Sequence, residues 1–302
     1  MAKPEASALM EADDAQAQVD VADDATDIAS DTTSLMSDVL KYRHENGRTY
    51  HGYKDGTYVL PNDPTEQQRL DLQHNLLILT FGGKLFNAPL PRTPSHVLDA
   101  GCGSGIWSID FADEHPESKA SITGIDLSPT QPAFVPPNVT FYVDDLEDTW
   151  NFSHKFDFIF SRFMTGSILD WPQYFKQCYD ALEPGGWLEV QDILYPMESD
   201  DGTLTPDSPL RKWSELLLEG FTGIGRPLNT AFQYKDQLLE AGFVEIGEIK
   251  AKWPSNGWPR DPILKQIGEF EGANGRTISI CISNLWLSVA CFRVSGSFQR
   301  GY

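Results

Sequence analysis

The feature that most constrains the fold of this chain is a glycine-rich turn between an apolar strand and a helix. The strand ends at Asp99, and glycine then occupies alternate positions, Gly101, Gly103 and Gly105, before an apolar segment begins. Alternate glycines allow a sharp turn and leave backbone N–H groups open to a ligand, because no Cβ atoms block them. At the start of a helix, such N–H groups attract a polar or negatively charged ligand group. The pattern therefore predicts an α/β unit with a ligand site at this turn.

The spacing of the turn argues against a dinucleotide site. A dinucleotide-binding turn has the pattern G-x-G-x-x-G, whereas here the third glycine comes one residue early and Ile106 stands in its place. Asp99 beside the turn would repel a pyrophosphate and suits a ligand that carries positive charge. The alternative interpretation is that the glycines serve only close packing between the strand and the helix.

Acidic residues follow the next two predicted strands, at the point where each strand ends. Asp126 ends the second strand, and Asp144 and Asp145 follow the third. Asp126 lies one helix and one strand after Gly105, where a doubly wound sheet places the residue that binds ribose hydroxyls. A carboxylate at that place can accept hydrogen bonds from both hydroxyls.

The order of the elements predicts a doubly wound, mostly parallel sheet in an α/β fold. A fourth strand ends at Arg162, and a fifth follows the Pro-Gly-Gly sequence at residues 184–186. Strands that alternate with helices favour parallel pairing with helices on both faces. Because ligands bind at the carboxyl ends of such strands, we expect these glycines and acids to lie together.

The sequence Asp-x-Gly-x-Gly-x-Gly after an apolar strand resembles the first motif of the class I S-adenosylmethionine-dependent methyltransferases. The resemblance implies a seven-stranded sheet and S-adenosyl-L-methionine as the cofactor, with Asp99 orienting its ammonium group. It also implies that an acid after the third strand accepts from the adenine amino group: Asp145 is our first choice and Asp144 its rival. The remaining residues of the predicted cofactor site are Leu127, Leu146, which would pack on the adenine ring, and Arg162.

Two further segments resemble the fungal LaeA-like methyltransferases. They are residues 45–74, with the sequence Glu-Asn-Gly-Arg-Thr-Tyr-His-Gly-Tyr at their start, and residues 166–172. That family is associated with secondary metabolism, and it implies either a biosynthetic enzyme or a nuclear regulator that acts with velvet proteins. The resemblance does not specify the methyl acceptor.

The N-terminal segment at residues 39–92 is predicted to form a lid or cap. Asp63, Pro64 and Glu66 form a helix start with the pattern of a capping box. The tyrosines before it, with His51, form an aromatic cluster that could either close over the cofactor and acceptor or pack as an N-terminal hairpin. If methyl transfer needs a general base, His51 is the first candidate and His74 the second.

Composition divides the chain further and excludes several functions. Residues 1–38 hold a run whose charged groups from Glu5 onwards are all acidic, so we expect a disordered tail. Residues 93–302 are the predicted methyltransferase domain. The whole chain has 44 acidic and 23 basic residues and a formal net charge of −21, which argues against direct binding to nucleic acid or to an anionic membrane.

The cysteines and histidines show no spacing typical of a disulfide framework or a metal site. The four cysteines form no C-x-x-C pair, and the six histidines lack ligand spacing, so we predict no structural metal. With no secretory signal in the sequence, this usage favours an intracellular protein, in the cytoplasm or the nucleus.

The C-terminal part departs most from the pattern of the family. Residues 206–228 read as a helical cover over the acceptor pocket, residues 231–241 as a helix, and residues 243–253 as the sixth strand. Residues 277–292 are uncharged and are interpreted as an atypical final strand. The alternative is an altered C-terminus that leaves a sheet edge exposed.

Three classes of function remain open at the level of sequence. The first is methyl transfer to a small molecule, with aromatic metabolites as the leading group. The second is a regulator that acts through protein partners of the velvet type. The third is a cofactor-binding module with impaired catalysis.

Overall fold

The computed structural model of the protein describes residues 41–90, 94–116, 120–278 and 285–294. The predicted acidic tail at residues 1–38 lies outside the described residues. The predicted divisions after residues 38 and 92 therefore stay predictions.

A seven-stranded, mostly parallel sheet forms the centre of the fold and confirms the predicted class. After two short N-terminal strands, β1 (Arg43–Glu45) and β2 (Arg48–Tyr50), its strands are β3 (His96–Ala100), β4 (Ser121–Asp126), β5 (Val139–Val143), β6 (Phe156–Arg162), β7 (Leu182–Leu194), β8 (Phe243–Trp253) and β9 (Leu285–Val294). They follow the order β5-β4-β3-β6-β7-β9-β8, and within this sheet only the pairs that include β9 are antiparallel.

Helices cover both faces of this sheet. They are α1 (Pro64–Thr80), α2 (Ile106–Glu114), α3 (Trp171–Ala181), α4 (Pro209–Gly223), α5 (Tyr234–Ala241), preceded by a 3-10 turn, and α6 (Pro262–Ile278). Alternate side chains of β3 enter the two cores: Leu98 belongs to the core that includes α3 and α5, and Val97 to the core that includes α1 and α2. On the second face, Trp107 of α2 stacks on Phe160 of β6 with ring centroids 4.0 Å apart.

The last strand completes the sheet. β9 lies between β7 and β8 and pairs with both in antiparallel register over eight or more residues. Phe292 on this strand is fully buried and contacts Phe243 of β8, with ring centroids 6.1 Å apart. The alternative of an altered C-terminus that leaves this sheet edge exposed is therefore wrong. The bounds differ from the predicted residues 277–292, because β9 covers residues 285–294 and residues 277 and 278 belong to α6.

The N-terminal segment forms both a hairpin and a wall of the site. Strands β1 (Arg43–Glu45) and β2 (Arg48–Tyr50) pair as a two-stranded hairpin. As predicted, α1 begins with Asp63 as N-cap, which accepts a hydrogen bond from the N–H of Glu66. The other half of a capping box is replaced, because the carboxylate of Glu66 accepts two hydrogen bonds from Arg69.

Two groups of features can be stated for the described part of the chain alone. None of its helices combines the length and the apolar character that crossing a membrane requires. Among the same residues, His, Cys, Asp and Glu side chains form no cluster of three or more that could hold a metal ion.

Candidate active site

A cleft of about 1040 Å³, partly open to solvent, lies at the carboxyl ends of β3 to β6. Of the predicted cofactor residues, eight line it: Gly101, Gly103, Asp126, Leu127, Asp144, Asp145, Leu146 and Arg162. The others, Asp99 and Gly105, lie outside its lining, as do both candidate bases. The order of the strands in the sequence was therefore enough to predict that most of these residues lie together in one cleft.

The glycine turn needs glycine for two separate reasons. Gly101 and Gly105 have φ angles of 80° and 78°, in the left-handed region that side chains disfavour. A Cβ atom at Gly101 would come within 2.4 Å of the sulfur of Met164, and one at Gly105 within 2.5 Å of the ring of Phe141. Gly103 differs, since its nearest neighbour would be a methyl of Leu70 at 3.4 Å. Close packing therefore explains two of the three glycines, whereas Gly103, whose φ angle is 55°, has room for a Cβ atom and lines the cleft.

Asp126 is fixed at the end of β4 by the turn beside it. One carboxylate oxygen accepts the N–H of Gly103 at 2.9 Å, and the other accepts the N–H of Ser128 at 3.0 Å. Burial raises the pKa of this carboxyl above its ordinary value, and the two backbone N–H groups oppose that rise. Each oxygen keeps a lone pair for a ligand that enters the cleft, which suits a pair of hydroxyl donors.

The two acids after β5 are placed differently. Asp145 accepts from the ammonium of Lys54 at 2.9 Å and from the N–H of Glu147 at 2.9 Å, so both of its oxygens are engaged. Asp144 is exposed and accepts from the N–H of Asp145 through one oxygen. The side chain of Leu146 is buried beneath them. One oxygen of Asp144 therefore has no bond from the protein, while each oxygen of Asp145 accepts one bond and keeps a lone pair. Either acid can accept from an adenine amino group, so the choice between them stays a prediction.

Asp99 lies behind the turn and does not face the cleft. It is buried and accepts a hydrogen bond of 2.7 Å from the hydroxyl of Ser108 on α2. Burial raises its pKa to about 6, while Ser108 and the nearby guanidinium of Arg162 oppose the rise. Asp99 could therefore influence a bound ammonium group only indirectly, through the residues between it and the cleft.

His51 is bound within its own loop. Its Nδ1 lies 2.7 Å from the carbonyl oxygen of Tyr53, and its Nε2 accepts the N–H of Tyr58 at 3.1 Å. The ring is buried and does not line the cleft, whereas Tyr58 does. Neither nitrogen is free to take a proton from an acceptor, so the geometry does not support His51 as a general base. Its position instead fixes the loop that carries Tyr58.

His74 is engaged at both nitrogens as well. Nδ1 lies 2.9 Å from Nη1 of Arg162, and Nε2 lies 2.9 Å from a carboxylate oxygen of Asp110. Burial and the positive charge of Arg162 lower its pKa to about 3. A base with so low a pKa and no free nitrogen is poorly suited to proton abstraction at neutral pH. The second candidate base is thus also unsupported.

The helix α1 supplies cleft residues that were not assigned from the sequence. Gln67, Leu70 and Gln73 line the cleft at the three-residue spacing of one helix face. The side-chain oxygen of Gln67 is buried and has no hydrogen-bond partner among the described residues. The helical spacing was visible in the sequence, but it does not say which face of α1 turns toward the ligand.

The opposite wall of the cleft comes from the segment after β6. Phe163, Met164 and Ile168 line it. Arg226, after α4, donates to the carboxylate of Glu147 at 2.7 Å and also bonds the carbonyl of Ser167. These contacts hold the loop after α4 against the segment that carries Ser167, which lines the cleft. None of residues 206–228 lines the cleft itself, so the structure does not support the predicted cover over an acceptor pocket.

The cleft fits the cofactor that the sequence implies. Gly103 leaves space for close approach of a ligand, and the buried oxygen of Gln67 requires a hydrogen-bond donor that the described protein does not supply. Asp126 and Asp144 offer acceptors for hydroxyl and amino groups, and Leu146 offers an apolar surface for a ring. A nucleoside that carries a charged amino-acid end satisfies these requirements together.

Comparisons with known proteins agree with this geometry. A family model described as a methyltransferase domain matches residues 72–246. The methyltransferase pytC of Aspergillus terreus is 44% identical over 236 residues, which is 78% of this chain and 72% of that protein. The secondary metabolism regulator LAE1 of Cochliobolus heterostrophus is 39% identical over 232 residues, 75% of each protein. The protein-methionine methyltransferase laeA of Emericella nidulans is 35% identical over 253 residues, 82% of this chain and 66% of that protein.

The family model spans more than half of the chain and includes the glycine turn and the acids after β4 and β5. The similarity to pytC extends over most of both proteins. The chain therefore belongs to the class I S-adenosylmethionine-dependent methyltransferases and, within them, to the fungal LaeA-like family.

Proposed function

We propose that this methyltransferase acts in fungal secondary metabolism and transfers a methyl group to a small acceptor with an apolar, aromatic surface. The observation that carries the proposal is the lining of the cleft, to which Tyr58, Leu70, Phe163, Met164 and Ile168 contribute. Burial of apolar surface supplies roughly 25 cal/mol per Å², and small-molecule sites combine such a lining with few polar groups. The 44% identity to the methyltransferase pytC also supports a biosynthetic role.

The bound cofactor supplies an electrophilic methyl group on a sulfonium centre. The protein's own residues hold the reactants in place and exclude water. Burial raises the pKa of the Tyr58 phenol above its ordinary value, so this group stays protonated and can donate a hydrogen bond. Its ring can attract a cationic centre by roughly 0.5–2 kcal/mol. Positioning of this kind can supply much of the rate of a methyl transfer.

The state of the two histidines restricts the chemistry of the acceptor. Both ring nitrogens of His51 and of His74 are engaged by other groups of the protein. We therefore propose an acceptor atom that needs no proton removed by these residues. Neutral amines, thioethers and acidic hydroxyls that are already ionised meet this condition.

A second candidate function is regulation of secondary metabolism through protein partners, including partners of the velvet type. It is supported by the similarity to LAE1 and to a laeA protein named as a protein-methionine methyltransferase. A methionine thioether is also an acceptor that needs no base. The net charge of −21 disfavours direct contact with nucleic acid or with an anionic membrane. This candidate places the protein in the nucleus, whereas the first suits the cytoplasm.

The experiment is a transfer assay with methyl-labelled S-adenosylmethionine and fungal extract separated into a small-molecule and a protein fraction. Label in the small-molecule fraction supports the first proposal, and label confined to protein supports the second. Asp126→Asn is the matched control, since its NH2 group would face one of the two backbone N–H donors and would remove one acceptor for the ligand, so this variant should abolish cofactor binding. Label that persists with Asp126→Asn, or label in neither fraction, would contradict the proposed function.

A further inference from the structure

A chain of three side chains leads from the surface to the cleft. Arg162 at the end of β6 lines the cleft, His74 lies on α1, and Asp110 lies on α2. Both links, from Arg162 to His74 and from His74 to Asp110, measure 2.9 Å. These residues come from three separate elements, so their alignment is a property of the fold.

The chemistry of arginine fixes the direction of these hydrogen bonds. A guanidinium has donors only, so Nδ1 of His74 must be the acceptor. The proton of the neutral ring then lies on Nε2, which donates to Asp110. A protonated His74 would lose the bond to Arg162 and would place two cations in contact. The lowered pKa of His74 agrees with the neutral form.

The guanidinium of Arg162 has donors left for a ligand. Apart from the bond to His74, its N–H groups have no hydrogen-bond partner among the described residues. Burial lowers its pKa to about 10, while the carboxylates of Asp99, Asp110 and Asp71 oppose that fall, so the group remains charged at neutral pH.

The nearby carboxylates interact with the charge of Arg162 but do not accept hydrogen bonds from its guanidinium in the described part of the chain. Asp99 accepts from Ser108 at 2.7 Å, Asp71 accepts from Ser104 at 2.9 Å, and Asp110 lies against His74. Arg162 is half-buried at the wall of the cleft, so an anion that enters the cleft can accept from its open donors and stabilise its charge. The cofactor carries one suitable anion, the carboxylate of its methionine part.

We propose that Arg162 binds the carboxylate of S-adenosylmethionine and that His74, held by Asp110, is the positioning residue that aims the guanidinium. This inference rests on the proposed methyl-transfer function, because it assigns one subsite of the same cleft. His74, the second candidate base in the sequence, thus receives a different role: it contacts the residue that contacts the cofactor.

The test compares two ligands by titration calorimetry on the full chain. S-adenosylhomocysteine has the carboxylate, and methylthioadenosine has the same nucleoside and sulfur without it. We expect Arg162→Met to weaken S-adenosylhomocysteine on the order of 10- to 100-fold and to leave methylthioadenosine nearly unchanged. His74→Leu should weaken S-adenosylhomocysteine selectively in the same way, and the double variant should be no weaker than Arg162→Met. His74→Asn is the conservative control, because its side-chain oxygen can replace Nδ1 and should restore part of the affinity.

Nitrogen NMR of the histidine side chains tests the inference in the wild-type protein, so the result does not depend on whether a variant folds. We expect His74, identified by the signal lost in His74→Asn, to show the neutral form protonated on Nε2 across about pH 5 to pH 8. Equal weakening of both ligands by His74→Leu, or a His74 ring that titrates in this range, would overturn the inference. A wild-type chain that binds neither ligand would instead contradict the proposed function itself.

Discussion

At the scale of single residues, Gln67 shows how an unpaired group can point to a ligand. Its buried side-chain oxygen has no partner among the described residues, although the residue lines the cleft. A buried acceptor without a donor costs about 1–3 kcal/mol. We predict that Gln67→Leu raises the free energy of unfolding of the ligand-free protein by about 1 kcal/mol and weakens S-adenosylhomocysteine about 10-fold. Chemical denaturation and calorimetry measure the two effects.

Gln73, which lies six residues after Gln67 on the same face of α1, provides the control. Its oxygen accepts from Arg69 at 3.2 Å, so it is already paired within the protein. Gln73→Leu should therefore lower the stability, opposite in sign to Gln67→Leu. A loss of stability in both variants would mean that the oxygen of Gln67 is satisfied in solution.

Asp99 predicts a dependence of stability on pH. Its pKa is raised from 3.8 to about 6, chiefly by burial. The folded state therefore binds more protons than the unfolded state between these values, and the stability from this group falls as the pH rises from about 4 through 6. Asp99→Asn keeps an acceptor for Ser108 and removes the buried charge. We expect it to be more stable than the wild type near pH 8 by up to about 3 kcal/mol.

Urea denaturation from about pH 4 to about pH 8 measures this effect. The two proteins should have similar free energies of unfolding at the acidic end and should diverge as the pH rises. Some slope should remain in the variant, because burial also raises the pKa of Asp192 to about 6. Parallel curves for the two proteins would show that Asp99 does not titrate in this way.

The sequence predicted the location of a residue well where that location follows from local backbone geometry. It did so less well where the surroundings of the residue depend on partners that are distant in the sequence. The glycines and the acid of β4 follow their strands directly, so strand order was enough to place them. His74 finds its partners 36 and 88 residues away, on α2 and β6. No periodicity in the sequence shows such contacts, so His74 looked like a free base. The partners of His51, backbone groups of Tyr53 and Tyr58, lie only two and seven residues away, but in an irregular loop whose shape the sequence does not specify.

At the scale of elements, different glycines of the turn serve packing and ligand binding. A Cβ atom at Gly105 would lie 2.5 Å from the ring of Phe141, whereas one at Gly103 would meet its nearest neighbour, Leu70, at 3.4 Å in the cleft. We predict that Gly105→Ala lowers the free energy of unfolding by about 2–4 kcal/mol, through strain and overpacking. Gly103→Ala should cost only about 1 kcal/mol in stability but should weaken cofactor binding strongly.

Thermal unfolding and calorimetry on this pair test whether the turn is a ligand site. If Gly103→Ala bound S-adenosylhomocysteine as well as the wild type, the space at Gly103 would not belong to the cofactor. If the two variants lost equal stability, the clash with Phe141 would be relieved by movement of that ring.

The boundaries of elements were predictable where a local signal ends them. The strand predicted at residues 243–253 is β8, and Gly242 before it ends α5 with a φ angle of 105°. The N-terminal segment was harder, because the same tyrosines fit a lid and a hairpin. The structure shows a hairpin that leads into a loop tied to the site by Lys54 and Asp145, a contact over 91 residues that composition does not indicate.

At the scale of the whole molecule, the C-terminal strand decides whether the sheet is complete. The uncharged run at its end lacked the pattern of the family. In the part of β9 whose side chains are described, Cys291 and Phe292 are buried in the two opposite cores, and a strand buried on both faces loses the alternation of polar and apolar residues. The structure places β9 between β7 and β8, so the last described part of the chain joins the sixth strand to the rest of the sheet. Phe292 lies at this junction and is fully buried.

We predict that Phe292→Ala lowers the free energy of unfolding by about 3–5 kcal/mol, because it opens a cavity between β8, β9 and α3. Ile249→Ala on β8 is the control: this side chain is 45% exposed and its truncation should cost under about 1 kcal/mol. Urea denaturation compares the two variants under the same conditions. Equal, small losses in both variants would mean that the C-terminal strand is not part of the cooperative fold, and the prediction of a complete sheet in solution would be wrong.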